Sequence, residues 1–153
     1  YVMSFVYLGI YWNNHHHMLH LTQRVTGGIL WANLHLLFWL SLTPFTTAWM
    51  GETHFAAVPT AVYGVVLLAC AISYYVLQVT IIRSQGPRSV LAAAVGQDKK
   101  GKLSPVLYLI AVFASFVHPG ISGALYATVA LIWLIPDTRI ERVVAAGGEA
   151  AGR

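Results

Sequence analysis

Apolar residues run along this chain in long blocks rather than in the short alternating clusters of a water-soluble fold. Residues 1–23, 25–51, 55–82 and 103–136 hold no Asp, Glu, Lys or Arg at all. A helix that crosses a bilayer needs about 20 mainly apolar residues and tolerates few ionised ones, because charge is costly in hydrocarbon. The blocks predict five membrane-embedded helices, over about 1–18, 29–50, 60–82, 103–117 and 119–135. The last block is too long for one span and breaks at His118, Pro119 and Gly120, which divides it into two short helices. Residues 103–117 reach only about 22 Å against a core of about 30 Å. This last pair therefore spans with local thinning of the bilayer, or dips into it as a tight hairpin.

Turn chemistry separates the blocks. Thr26, Gly27 and Gly28 end the first connection, and Pro44 predicts a kink within the second helix. Residues 51–59 form a short polar connection with Glu52 and His54, and 83–102 form a basic linker in which Asp98 is the single acid. Pro136 and Asp137 stop the last helix, and the Gly- and Ala-rich stretch 145–153 is expected to be a disordered tail. The predicted fold is an all-α membrane protein, a bundle of five transmembrane helices within residues 1–144.

Composition narrows the function classes. The chain is 58% apolar and 9% charged, whereas soluble domains carry about 25% charged residues. That is too little charge to coat a soluble enzyme or to line a nucleic-acid groove, so the expected partner is the lipid bilayer and not a nucleic acid. The net charge of +4 falls in the gaps between blocks, where it sets orientation. The linker after the third helix, the turn with Arg24, and Arg139 and Arg142 then lie inside, and the connection at Glu52 and the His118 turn lie outside. The C-terminus is expected to be cytoplasmic. Residue 1 is placed outside, so a helix running from inside to outside is expected upstream of Tyr1.

Cys70 is the sole cysteine and sits within a block, so it is expected to be a small packed side chain rather than half of a disulfide or a zinc ligand. Gly64, Ala69, Ala71, Ser73, Gly120, Gly123 and Ala127 are read as small residues that let helices approach closely.

Asn and His are expensive at membrane depth unless each finds a partner. The first helix carries Asn13, Asn14, His15, His16 and His17, then His20, and the second carries Asn33 and His35. Successive helical residues point about 100° apart, so the three adjacent imidazoles cannot share one ligand site. Trp12 with His16 and Trp31 with His35 stand four residues apart on one face of their helices. They point to a buried network of donors and acceptors between the helices, built from Trp12, Asn13, His16, His17, Trp31, Asn33 and His35. An interfacial aromatic belt is the plainer reading for the tryptophans. No nucleophile stands beside a base, no Gly-rich phosphate loop occurs and no intramembrane acid is present, so the chain is not read as an enzyme.

The run SFVYLGIYWNNHHHMLH followed by ILWANLHLLFWLSLTPFTTAWMGE resembles the second and third helices of the transmembrane protein 175 family, with a weaker likeness continuing through PTAVYGVVLLA. That resemblance implies a potassium-permeable channel with K⁺ as the permeant ion and no cofactor or resident metal. It also implies a six-helix repeat, of which this chain would hold helices two to six, assembled as a homotetramer; the single repeat and the Ala- and Arg-rich tail point to a bacterial cell membrane. In the family the pore is lined by the first helix, whose Phe-Ser-Asp motif would bond to Trp12, His16 or His17, Trp31 and Asn33. No Phe-Ser-Asp helix occurs in these 153 residues.

Two other classes compete. A His-box or haem-binding membrane oxidoreductase subunit would draw on His17 with His20, His35 and His118, and a non-conducting membrane scaffold would need no site at all. Iron content and a visible spectrum separate the first from a channel.

Overall fold

The structure is a computed structural model that describes residues 2–86, 89–95 and 98–134. Among the described residues it is wholly helical, with α1 Val2–His20, α2 Gly27–Glu52, α3 Ala57–Gln85, α4 Val90–Val95, α5 Lys99–Ala114 and α6 Pro119–Leu134. The expected tail at 145–153 lies outside the described residues, as do Arg139 and Arg142.

Two helices, α2 and α3, are long and apolar enough to cross a membrane, and α6 is a shorter apolar helix. At 16 residues each, α5 and α6 reach about 24 Å, short of the hydrocarbon thickness as the sequence predicts. The Thr26 side chain accepts from the Ile29 N–H and caps the first turn of α2. The same helix passes through Pro44 without a break. Nearby, the Thr47 hydroxyl donates to the Thr43 carbonyl at 2.7 Å and Thr46 to Leu42 at 3.0 Å, so these two threonines spend their polarity on the backbone of their own helix. The α2–α3 turn places His54 and Phe55 in the left-handed region, with φ of 52° and 61°. Phe55 N–H closes it on the Met50 carbonyl at 2.9 Å.

The stretch 83–102 is more helical than a linker. α3 runs on to Gln85 and stops at Gly86, whose φ of +88° suits glycine. α4 is the Ala-rich run VLAAAV, with Ser89 accepting from the Ala92 N–H. α5 starts at Lys99 rather than 103, because Asp98 caps it by accepting from the Gly101 N–H at 2.9 Å. Lysine is a good helix former, so a charged residue ends an apolar run without ending the helix.

α3 is the hub: it packs on α2 and α5 and also meets α6, while α5 packs on α6. α1 is held more lightly, against α2 and α6. One core, with Met18, Ile29, Leu36, Leu77, Ile81 and Leu91, fills the end nearer α4. The other is tyrosine-rich, with Tyr7, Tyr63, Tyr108 and Tyr126 around Met50 and Leu67. Tyr63 meets Tyr126 edge to face at 5.3 Å and Tyr7 at 6.3 Å. Two of the hydroxyls are absorbed by backbone: Tyr7 donates to the Tyr126 carbonyl, and Tyr126 to the Thr60 carbonyl at 3.0 Å.

Gly64 makes the second bond possible, since a β-carbon there would lie 2.2 Å from the Tyr126 hydroxyl and 2.8 Å from Val112 Cγ2. Among the small residues read as close-approach points, Gly64 fills that role. Gly123 has open space around it, and Gly120 faces only the ring of His118. Cys70 is fully buried in the first core.

Candidate functional site

The polar and aromatic residues of α1 and the start of α2 form the site the sequence singles out. Helical spacing puts Trp12, His16 and His20 on one face of α1, four residues apart. Their rings stack into a ladder, Trp12 on His16 at 5.3 Å and His16 on His20 at 6.5 Å, nearly parallel in both steps. The His17 ring tilts against His16 at 6.4 Å. Trp12 is 65% exposed, and His16 and His20 are exposed too.

Of the network predicted between α1 and α2, the described residues bring Trp12 to His16 and His16 to His17 in ring contact and tie Asn33 to α1. Trp12 and His16 stack on each other and are exposed. Trp31 is 75% exposed. His35 pairs with Trp39 rather than Trp31, accepting from the indole N–H on Nε2 at 3.1 Å. Asn13 is half-buried on α1. The direct tie between the two helices uses a residue outside the expected set: His15 Nε2 donates to Asn33 Oδ1 at 2.6 Å. The physical reason is the register of α1 on α2, which turns His15 inward and sends its neighbour His16 outward.

Asn14 is buried and returns its Nδ2 to the Ile10 carbonyl at 2.8 Å, while the Tyr74 hydroxyl reaches the Asn14 carbonyl at 3.4 Å. Two signals in the sequence could have found part of this. Trp39 stands four residues after His35, as visible as Trp31 before it, and His20 continues the Trp12–His16 spacing. Nothing in the sequence marks His15 over His16.

Among the described residues no three His, Cys, Asp or Glu side chains come together so as to hold a metal ion. The histidines that would make an iron box, His17, His20, His35 and His118, are not gathered within one chain. His118 sits exposed at the α5–α6 turn, where its Nδ1 accepts from the Gly120 N–H at 3.2 Å.

The family described as the endosomal/lysosomal potassium channel TMEM175 matches residues 1–44, which hold this whole site. A potassium channel of Chryseobacterium sp. (strain P1-3) is 51% identical over 142 residues, covering 93% of this chain and 74% of that protein. A potassium channel of Streptomyces collinus (strain DSM 40733 / Tue 365) is 29% identical over 143 residues, covering 87% of this chain and 68% of that protein. No solved structure matches the chain.

Proposed function

The chain belongs to the TMEM175 family of potassium channels, and we propose that it is a potassium channel subunit acting as a homotetramer around a K⁺ pathway. The observation that carries this is the 51% identity to a bacterial potassium channel across 93% of the chain. It is an integral membrane protein by that membership. Both named relatives are bacterial, which supports a place in the bacterial cell membrane. All five longer helices are embedded in this proposal, α5 and α6 as a short pair, with the basic stretch 83–102 and the C-terminus on the cytoplasmic side.

The ion pathway is proposed to be walled by a helix N-terminal to Tyr1, packed on the outward ladder of Trp12, His16 and His20 and on Trp31. Exposure of these side chains supports that role, because a neighbouring helix would shield them from lipid and meet their hydrogen-bonding capacity. In this arrangement α1 and α2 do not select the ion. They hold and orient the segment that does, and α3 fixes them to the rest of the bundle.

Flux from proteoliposomes holding the full-length protein tests this. K⁺ should leave faster than Na⁺ under equal gradients. Flux no greater than from empty vesicles would overturn it.

A further inference from the structure

Basic side chains gather at one end of the bundle. Within residues 1–134 every Lys and Arg is either Arg24 or falls in 83–102, as Arg83, Arg88, Lys99, Lys100 and Lys102, whereas the acids are Glu52 and Asp98. Residues 135–153 add three charges of each sign, so the net positive charge comes from these two segments. Arg88 lies outside the described residues.

The fold brings the two segments together. Joined by a short turn, α2 and α3 run antiparallel, and near their far ends a β-carbon on Gly28 would lie 3.7 Å from Thr80 Cγ2. From that contact the chain runs back out of α2 to Arg24 and onward along α3 to Arg83. Both guanidinium groups therefore stand at the end filled by the core of Ile29, Ile81 and Leu91. Lys102 joins them from the first turn of α5. Arg24, Arg83 and Lys102 are exposed, and none forms a salt bridge to a described residue.

Apolar side chains lie behind these cations. Stepping back from Arg83 through Thr80, Val76 and Ile72 follow one face of α3 at helical spacing, and Leu30, Leu34 and Phe38 do the same on α2. Val76, Ile72 and the three α2 residues are all exposed. Trp31, also exposed, stands just inside the start of α2, and indoles favour the headgroup level of a bilayer. Cations at the rim, an indole below them and apolar strips deeper still repeat the layering of a phospholipid.

We propose that this end binds an anionic phospholipid, with Arg24 and Arg83 on the headgroup phosphate and the acyl chains along the exposed strips of α2 and α3. A zwitterionic lipid already neutralises its phosphate with its own ammonium and gains less from these cations. An acidic peptide would offer carboxylates but no chains to cover the strips. The inference rests on the membrane placement proposed above and not on ion conduction.

Dioctanoyl phosphatidylglycerol, titrated into the full-length protein in maltoside micelles against dioctanoyl phosphatidylcholine, tests the site. Tryptophan fluorescence and thermal unfolding should show the anionic lipid bound about fivefold or more tighter at low salt, since each cation near an anionic surface contributes ~1 kcal/mol. Excess KCl should shrink that preference, because exposed charges are screened beyond about 10 Å at 0.1 M salt. Arg24→Gln and Arg83→Gln should each weaken the anionic lipid about fivefold, and the Arg→Lys variants should retain most of the binding. Both side chains are exposed, so all four variants should unfold at the wild-type temperature without lipid.

Equal affinity for the two lipids, or full preference in the Arg24→Gln, Arg83→Gln double variant, would overturn the site. Displacement of the lipid by soluble glycerol phosphate or by polyglutamate at equal affinity would also overturn it, in favour of a free anion or an acidic peptide. Flotation with liposomes checks the membrane placement by itself. A protein that floats yet fails these titrations therefore sinks this inference alone.

Discussion

His15 Nε2 and Asn33 Oδ1 meet at 2.6 Å across the α1–α2 interface, a direct polar tie between two helices that otherwise touch lightly. Hydrogen bonds between membrane helices average about 0.6 kcal/mol and reach about 1.7. A short, half-buried bond should fall in the upper part of that range. A double-mutant cycle of His15→Phe and Asn33→Leu, read from unfolding in detergent, should give a coupling of about 1 kcal/mol. A coupling indistinguishable from zero would remove this bond from the account of how α1 is held.

Gly64→Ala places a β-carbon on the Tyr126 hydroxyl. Overpacking of this kind costs roughly 1–3 kcal/mol, and here it also displaces the bond from Tyr126 to the Thr60 carbonyl. Stability should fall by that amount, and adding Tyr126→Phe should recover part of it by deleting the colliding atom. If the double variant is no more stable than Gly64→Ala, the clash is not with the hydroxyl.

Exposed Trp12 and His16 behave differently. Since their ring contacts among the described residues all lie within α1, Trp12→Ala and His16→Ala should change the folding stability of a single subunit by only about 0.5 kcal/mol or less. They should still lower the tetramer fraction in native mass spectrometry and alter K⁺ flux from vesicles. Unchanged assembly together with unchanged flux would deny the ladder its proposed role as a seat for another helix.

Asp98 as the cap of α5 makes a separate prediction. Asp98→Ala should cost about 1 kcal/mol, the usual value of a lost N-cap, whereas Asp98→Asn should cost only a few tenths. Hydrogen exchange at Gly101, the amide that Asp98 accepts from, should speed up in the first variant and stay slow in the second. Equal exchange in both would show that the first turn of α5 is held by something else.

Much of the fold is legible in the sequence because lipid-compatible helices advertise themselves by absent charge. α2 and α3 stand out in this way. α4 does not, since VLAAAV is too short to show a period, and the start of α5 hides behind Lys99 because charge at a helix end looks like a loop. The candidate site is legible in its membership and not in its pairing. Spacing along one helix correctly joins Trp12 to His16, but His35 has a tryptophan four residues away on either side, and only ring orientation picks Trp39. The choice of His15 over His16 depends on how α1 is rotated against α2, which no single-helix pattern contains. Burial fails for a related reason: periodicity places residues on a shared face without saying what covers that face.

The polar attachment of α1 has a mechanical consequence. Tyr7 fastens it to the Tyr126 carbonyl, and nearer its C-terminal end His15 holds Asn33 while the Tyr74 hydroxyl reaches the Asn14 carbonyl, two levels of attachment about 12 Å apart along the rod, while α3 clamps α2, α5 and α6 into a stiff block. A rod held at two levels can swing about the line joining them at little cost. Whatever leans on the Trp12–His20 side therefore pushes a lever mounted on a stator, and small forces there become displacements along α1 rather than strain within the block.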